Sequence, residues 1–258
     1  MTVQVLQSHT PSANKAPWSA RCLQSVRDWA DRRGFRYRFL GDELFDLLDP
    51  AIRDRTQHQP VVASDLARLR WLSLTLDAGA TCAVWLDADT WIFDPDRFVP
   101  PDTTAVGREI WIQREGSRWK RFTKVHNAAL CAHPGNTLLP FYEDTARRLI
   151  LANTAESVVP QFLGPKLLTA LHTAAQLPVW EEAGVFSPAV IHGLLERTPQ
   201  AVDLMLRNAA SPPAAANLCA SSVRRQELDA SALERLTDDP QRIRDYLSGR
   251  HRRLQSRR

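Results

Sequence analysis

No stretch of this chain approaches the roughly 18 consecutive apolar residues a membrane-spanning helix needs, so none is expected. Met1 to Thr10 has neither a basic start nor an apolar signal core, and no secretion signal is expected. Cysteine is scarce. Cys22, Cys82, Cys131 and Cys219 stand far apart, with none of the spacings typical of metal sites. Free thiols in a reducing cytoplasm are therefore the expectation. Glycine is sparse as well, with ten in 258 residues and none between Gln7 and Lys15. That gap argues against a glycine-rich phosphate loop after the first strand. There is no internal repeat, no Gly/Ser linker and no aromatic-rich RNA-binding strand, and no nucleic-acid partner is expected.

What is present is an ordinary globular composition, 44% hydrophobic and 24% charged, which excludes chain-wide disorder. The length suits one large α/β domain with a real core. The eight tryptophans are read as core residues. The net charge of +4 is concentrated at the C-terminus, where Arg242, Arg244, Arg250, Arg252, Arg253, Arg257 and Arg258 face only Asp245. Such a tail is either a solvated terminus or a contact for an anionic membrane, nucleic acid or an acidic partner, and nothing beside it looks like a nucleic-acid module. The location expected is cytoplasmic, peripheral at the membrane if the tail engages one.

Val3–Leu6 reads as a first strand. Trp18, Cys22, Val26, Trp29 and Arg33 recur at helical spacing with Gly34 as the stop, and Phe35–Leu40 alternates like a strand. This predicts a parallel strand–helix–strand unit. After Pro60, Ser64 is expected to cap a helix whose first turn holds Asp65 and whose buried side includes Leu66, Leu69 and Leu72. Cys82–Leu86 is an unbroken apolar run, the pattern of a strand covered on both faces. Strands are expected at Glu109–Gln113 and Asn127–Cys131, and helices at Gly135–Leu151 and after Gly164-Pro165. Ser211–Ala216 shows no pattern. The domain is expected to span residues 1–210, with 211–258 a C-terminal extension ending in a basic helix.

Asp87 and Asp89 follow the buried strand directly. Two carboxylates there can share a divalent cation, since Mg²⁺ and Mn²⁺ favour oxygen ligands and substrate phosphates. Ligands of open α/β sheets bind beyond the carboxyl ends of the strands, which is where this pair falls. With 19 aspartates in the chain, roughly one or two Asp-X-Asp pairs arise by chance, so context must decide. Asp94-Pro95-Asp96 sits in a polar turn and reads as turn residues. Charges placed straight after a buried strand are costly unless paired or metal-bound. Asp65 and Arg68, three apart on one helix, are either an ion pair or a grip on sugar and phosphate oxygens. His126, His133 and His192 are read as structural.

Together, Ala63-Ser64-Asp65-Leu66-Ala67-Arg68, the helix and strand that follow, and Asp87-Ala88-Asp89-Thr90 resemble the sugar-binding region of Asp-X-Asp glycosyltransferases, above all glycosyltransferase family 32. Trp85 to Ile92 is also similar to family 8 and to the clostridial-toxin-type glucosyltransferases. Further resemblance lies in Val5 to His9, in Trp18, Cys22 and Ser25, in His126 to Leu130, and in Leu163 to Thr169. Ala78-Gly79-Ala80-Thr81 stands where the family has a double glycine. The resemblance implies a GT-A fold: a Rossmann-like, mostly parallel central sheet flanked by helices. It implies transfer of a sugar from a nucleotide-sugar donor, most simply a UDP-sugar, to an acceptor hydroxyl, with Mn²⁺ or Mg²⁺ and with retention. It implies Asp87, Asp89, Asp65 and Arg68 as catalytic residues, and metal ligation by Asp89 and Asp87 with Asn217 as the late ligand. It implies donor contacts from Gln7, Ser8, His9, Trp18, Asp65, Arg68, Asn127 and Gly164. The acceptor, whether glycan, lipid, small molecule or protein, is left open. A sugar-nucleotide-forming nucleotidyltransferase and a non-catalytic sugar-nucleotide-binding module are the alternatives.

Overall fold

The computed structural model describes residues 2–10, 16–153 and 162–256. Strand β1 (Val3–Ser8), helix α1 (Pro17–Arg33) and strand β2 (Arg36–Leu40) form the expected unit, and the two strands are parallel. α1 ends at Gly34, whose φ of 68° is a left-handed conformation that favours a residue without Cβ. Helices α2 (Pro50–Thr56) and α3 (Pro60–Asp77) lead to β3 (Cys82–Leu86), which runs parallel to β1. All five β3 residues are buried. Ala83 and Trp85 pack with Leu66, Leu69 and Leu72 of α3. Cys82, Val84 and Leu86 pack with Val26, Trp29 and Ala30 of α1. Burial on both faces is why the strand reads as continuous apolar sequence.

The chain then makes the short strand β4 (Thr90–Ile92) and a long antiparallel hairpin, β5 (Ala105–Glu115) with β6 (Arg118–Ala132). β6 also pairs antiparallel with β3. Helices α4 (Leu138–Ala152) and α5 (Leu167–Ala175) precede β7 (Val179–Trp180), which joins β5 in parallel. The resulting sheet has the order β2-β1-β3-β6-β5-β7, and three of its five pairings are parallel. The fold is thus α/β with a mostly parallel central sheet flanked by helices, consistent with the GT-A expectation. β8 (Ala183–Val185), α6 (Pro188–Glu196), α7 (Pro199–Leu206) and β9 (Ala215–Asn217) follow. α8 (Ala220–Arg224), α9 (Ala230–Thr237) and α10 (Pro240–Gln255) complete the chain's elements. A second sheet, β4-β9-β8, has β9 at its centre.

Three expectations change. α3 begins at Pro60, four residues before Ser64, because proline at the first helical position needs no hydrogen-bond acceptor and its φ is preset. The Ser64 hydroxyl donates to the Val61 carbonyl inside the helix and caps nothing. The unpatterned Ser211–Ala216 contains part of β9, whose alanines carry little strand propensity and are held by pairing on both edges. The boundary at 210/211 therefore falls inside the fold. Leu218, Leu233, Leu236, Ile243 and Leu247 share a core with Trp91, Phe186 and Val202. The basic C-terminal helix is docked through that core, and its Arg250 pairs with Asp203 at 2.7 Å. Arg257 and Arg258 of the basic tail lie outside the described residues, as do residues 11–15 of the glycine-free stretch.

The cysteines are free, with Cys22, Cys82 and Cys131 buried and Cys219 half-buried. Asp94 and Asp96 are turn residues as expected: the Asp94 carbonyl accepts from the Phe98 N–H, and the Asp96 carbonyl accepts from Arg33. Among the described residues no helix is long and apolar enough to cross a membrane.

The hairpin's register shifts between Val106 and Gly107, and the His126 ring rests against Gly107 there. A Cβ at Gly107 would lie 2.2 Å from His126 Nε2. Gly107→Ala is therefore expected to destabilise the fold by about 1–3 kcal/mol through overpacking. Urea unfolding should show a lower midpoint at unchanged slope.

Candidate active site

β3 ends at Leu86, and the Asp87 N–H continues its ladder onto the Ala128 carbonyl at 2.8 Å. The Thr90 N–H then donates to the Asp87 carbonyl at 2.9 Å, closing a turn that hands the chain to β4. Asp87 and Asp89 therefore stand at the seam between the two sheets. They open onto a cleft of about 1030 Å³.

Arg68 organises the inner wall of this cleft. Its guanidinium lies 3.1 Å from Asp65 and 2.9 Å from Asp87, donates to the Asn127 carbonyl at 3.0 Å, and sits 5.1 Å from the centre of the Trp85 ring. Burial alone would lower its pKa, but Asp87 and Asp65 outweigh that and hold it above the usual value. The Trp85 indole N–H donates to Asp87 Oδ1 at 2.7 Å, so the strand preceding the pair also orients it. Asn127 donates its amide N–H to Asp65 Oδ1 at 2.8 Å. Burial raises the Asp65 pKa, against the opposing effects of Arg68 and Asn127. The alternative left open for Asp65 and Arg68 is thus resolved in one respect: this is a buried network at 4% and 6% exposure, not a surface ion pair.

Asp89 is held from the other sheet. Its Oδ1 accepts from the Asn217 amide at 2.5 Å and its Oδ2 from the Ala220 N–H at 2.8 Å. Burial, and then the charge of Asp87, raise its pKa. A buried carboxylate whose ionisation is disfavoured, beside a second carboxylate, is a donor set that an oxygen-seeking divalent cation relieves, so the residues fit such an ion. Asn217 was expected as a metal ligand, but its amide nitrogen faces Asp89 and its oxygen accepts from the Cys219 N–H at 2.8 Å. It positions Asp89.

The remaining expected residues divide. Ser8 and His9 line the cleft. Among the described residues, His9 Nε2 is buried without a hydrogen-bond partner. Gly164 is packed so tightly that a Cβ would lie 2.9 Å from the Asn127 amide nitrogen and 3.0 Å from Asp65 Oδ2, so the kinked 162–166 segment presses backbone onto the network. Tyr142 fixes that kink by donating to the Leu163 carbonyl at 2.6 Å. Gln7 is fully buried instead. It donates to the Asp87 carbonyl at 3.2 Å and accepts from Tyr37, so it supports the turn from behind. Trp18 packs in the core with Trp91 and Phe186, and its neighbour Ser19 reaches the cleft in its place.

Other cleft residues escaped the sequence reading. His126, read as structural, lies on the wall with both ring nitrogens engaged: Nε2 donates to the Ala183 carbonyl and Nδ1 accepts from the Ala128 N–H, each at 3.1 Å. Burial lowers its pKa to about 4. On the same face of the hairpin, Trp111 lies opposite Phe122 and Glu109 opposite Lys124. The alternation of Glu109, Trp111 and Gln113 was legible, but nothing in one strand says what its face looks toward. Lys166 and Arg224 add positive charge to the rim.

No family model matches the chain, and no curated protein matches it. In three dimensions it is similar to a glycosyltransferase involved in the glycosylation of the major capsid of PBCV-1. The identity is 9%, the TM-score is 0.47, and the alignment covers 91% of this chain and 100% of that one. A likeness of that degree carries no argument about function.

Two outcomes follow from the electrostatics. Arg68→Met leaves Asp65 and Asp87 without their shared counter-charge and should cost about 3–5 kcal/mol at neutral pH. Because burial already raises the Asp65 pKa, the loss should shrink as the pH is lowered and Asp65 takes up a proton. Urea titrations at neutral and at acidic pH check this. For His126 the folded pKa lies below the unfolded one. Stability should therefore fall as pH drops from about 6.5 to about 4, by roughly 3 kcal/mol in total, because only the unfolded chain binds that proton. His126→Gln should remove this part of the acid dependence in the same titrations.

Proposed function

We propose that the chain is a metal-dependent glycosyltransferase that moves a sugar from a nucleotide-sugar donor, a UDP-sugar in the simplest case, to an acceptor hydroxyl with retention. The observation that carries this reading is the Asp87/Asp89 pair, set at the seam of two sheets over a deep cleft with a buried arginine behind it. Asp89 and Asp87 would hold Mn²⁺ or Mg²⁺. Such an ion, when bound, supplies positive charge to the donor diphosphate as it leaves.

The chain's own residues do the rest. Arg68 is fixed before substrate arrives, so its charge helps stabilise the developing diphosphate with little reorganisation. Lys166 and Arg224 on the rim add to that field. Asp65 and Asn127, locked to each other, offer oxygens and amide protons to sugar hydroxyls. Asp65 keeps its geometry because Gly164 leaves no room for it to move. His9 offers its unpartnered Nε2 to the base or ribose. The facing Trp111 and Phe122 form an apolar wall suited to the acceptor side. The acceptor attacks from the face the diphosphate leaves, and a donor phosphate oxygen takes its proton.

The test is release of free nucleotide from a panel of UDP-, GDP- and dTDP-sugars, with and without Mn²⁺. Metal-dependent release from one donor is expected, and Asp89→Ala should reduce it by roughly a hundredfold or more. No release with any donor, together with no metal-dependent thermal shift, overturns the reading.

A further inference from the structure

A second cluster of ligating side chains lies at the other end of the sheet. Cys82 opens β3, and Asp87 follows its last residue, so the two are separated by about 16 Å of extended chain. Cys131, near the end of β6, brings its Sγ to 3.5 Å from Cys82 Sγ. His133, just beyond β6, places Nε2 3.5 Å from Cys131 Sγ. All three ligand atoms lie within 4.8 Å of one another. In the sequence the two cysteines are 49 residues apart, which is why their spacing suggested no metal.

The separations match a metal polyhedron. Tetrahedral zinc, with Zn–S near 2.3 Å and Zn–N near 2.0 Å, holds its ligand atoms about 3.3–3.8 Å apart. Both thiols are buried at 1% exposure, and the imidazole turns inward to meet them. The Pro101 carbonyl faces the same point, accepting from His133 Nε2 at 2.9 Å and from Cys131 Sγ at 3.6 Å. Thiolate and imidazole donors select zinc over the hard cations that suit Asp87 and Asp89.

We propose that Cys82, Cys131 and His133 bind one structural zinc ion. Binding releases two protons, one from each thiol, and the proton that His133 Nε2 holds toward the Pro101 carbonyl shifts to Nδ1, which frees Nε2 to ligate. The two thiolates cancel the charge of Zn²⁺ while histidine stays neutral, so no net charge is buried. The Pro101 carbonyl or a water takes the fourth position. The ion clips β3 to β6 at the end remote from Asp87 and Asn127, and so stiffens the two strands that present the cleft.

The test uses full-length protein without a metal-binding tag. The reduced protein is stripped with chelator, incubated with Zn²⁺, desalted, and assayed for metal by mass spectrometry. About one zinc per chain is expected, with a raised melting temperature that chelator reverses. His133→Gln, which alters a half-buried side chain, and Cys82→Ser/Cys131→Ser should each retain at least about tenfold less zinc. Asp89→Ala should retain it fully. In the Co²⁺-loaded protein, thiolate-to-cobalt charge-transfer absorption should appear and should be lost in Cys131→Ser. Three results overturn the proposal: no retained zinc in reduced wild-type protein, equal zinc in the ligand variants, or cobalt spectra without thiolate bands. None of these readouts involves sugar transfer, so the outcome is independent of the proposed activity.

Discussion

Burying a guanidinium costs several kcal/mol unless charge and hydrogen bonds meet it on all sides, and Arg68 is met on all sides. Asp65 comes from the same helix, Asp87 from the end of β3, the Asn127 carbonyl from β6 and the Trp85 ring from within β3. One side chain therefore ties helix α3 to both central strands at the level of the cleft. For the buried Asp65 that charge opposes the rise in pKa that burial causes. The network is demanding, since removing Arg68 leaves Asp65 and Asp87 without their shared counter-charge.

The site's second support comes from the opposite direction in the chain. Asp89 is gripped by Asn217 and by the Ala220 N–H, more than 120 residues downstream. The Leu218 N–H also donates to the Asp89 carbonyl, at 2.9 Å. The two aspartates are thus two positions apart in sequence but anchored to different sheets. That division holds the two carboxylates from two sides, as the proposed binding of a cation and a diphosphate would require. It also explains why the C-terminal segment cannot be a loose appendage: β9 holds half of the pair in place.

Tight backbone approaches complete the arrangement. Gly107 makes room for the His126 ring, and Gly164 lets the 162–166 segment close on Asp65 and Asn127. Neither glycine has a positive φ, so each is required for its missing side chain and not for backbone freedom. His126, neutral and with both nitrogens satisfied, contributes a fixed polar wall without adding charge beside Arg68.

The periodicity of the sequence by itself determined the strand–helix–strand opening, the stop at Gly34 and the buried strand Cys82–Leu86, because those signals are local: helical spacing, a left-handed terminus, and an apolar run covered on both faces. The place of Asp87 and Asp89 at a strand end was legible for the same reason. Local pattern could not show that Asp65 and Arg68 are buried together. Nor could it show that Gln7 and Trp18 turn away from the cleft, that Asn217 holds Asp89 through its amide, that alanines 215 and 216 form a central strand, or that Cys82, Cys131 and His133 converge. Each of these rests on partners far away in the chain, and burial, pairing and charge compensation exist only once the sheets have brought those partners together.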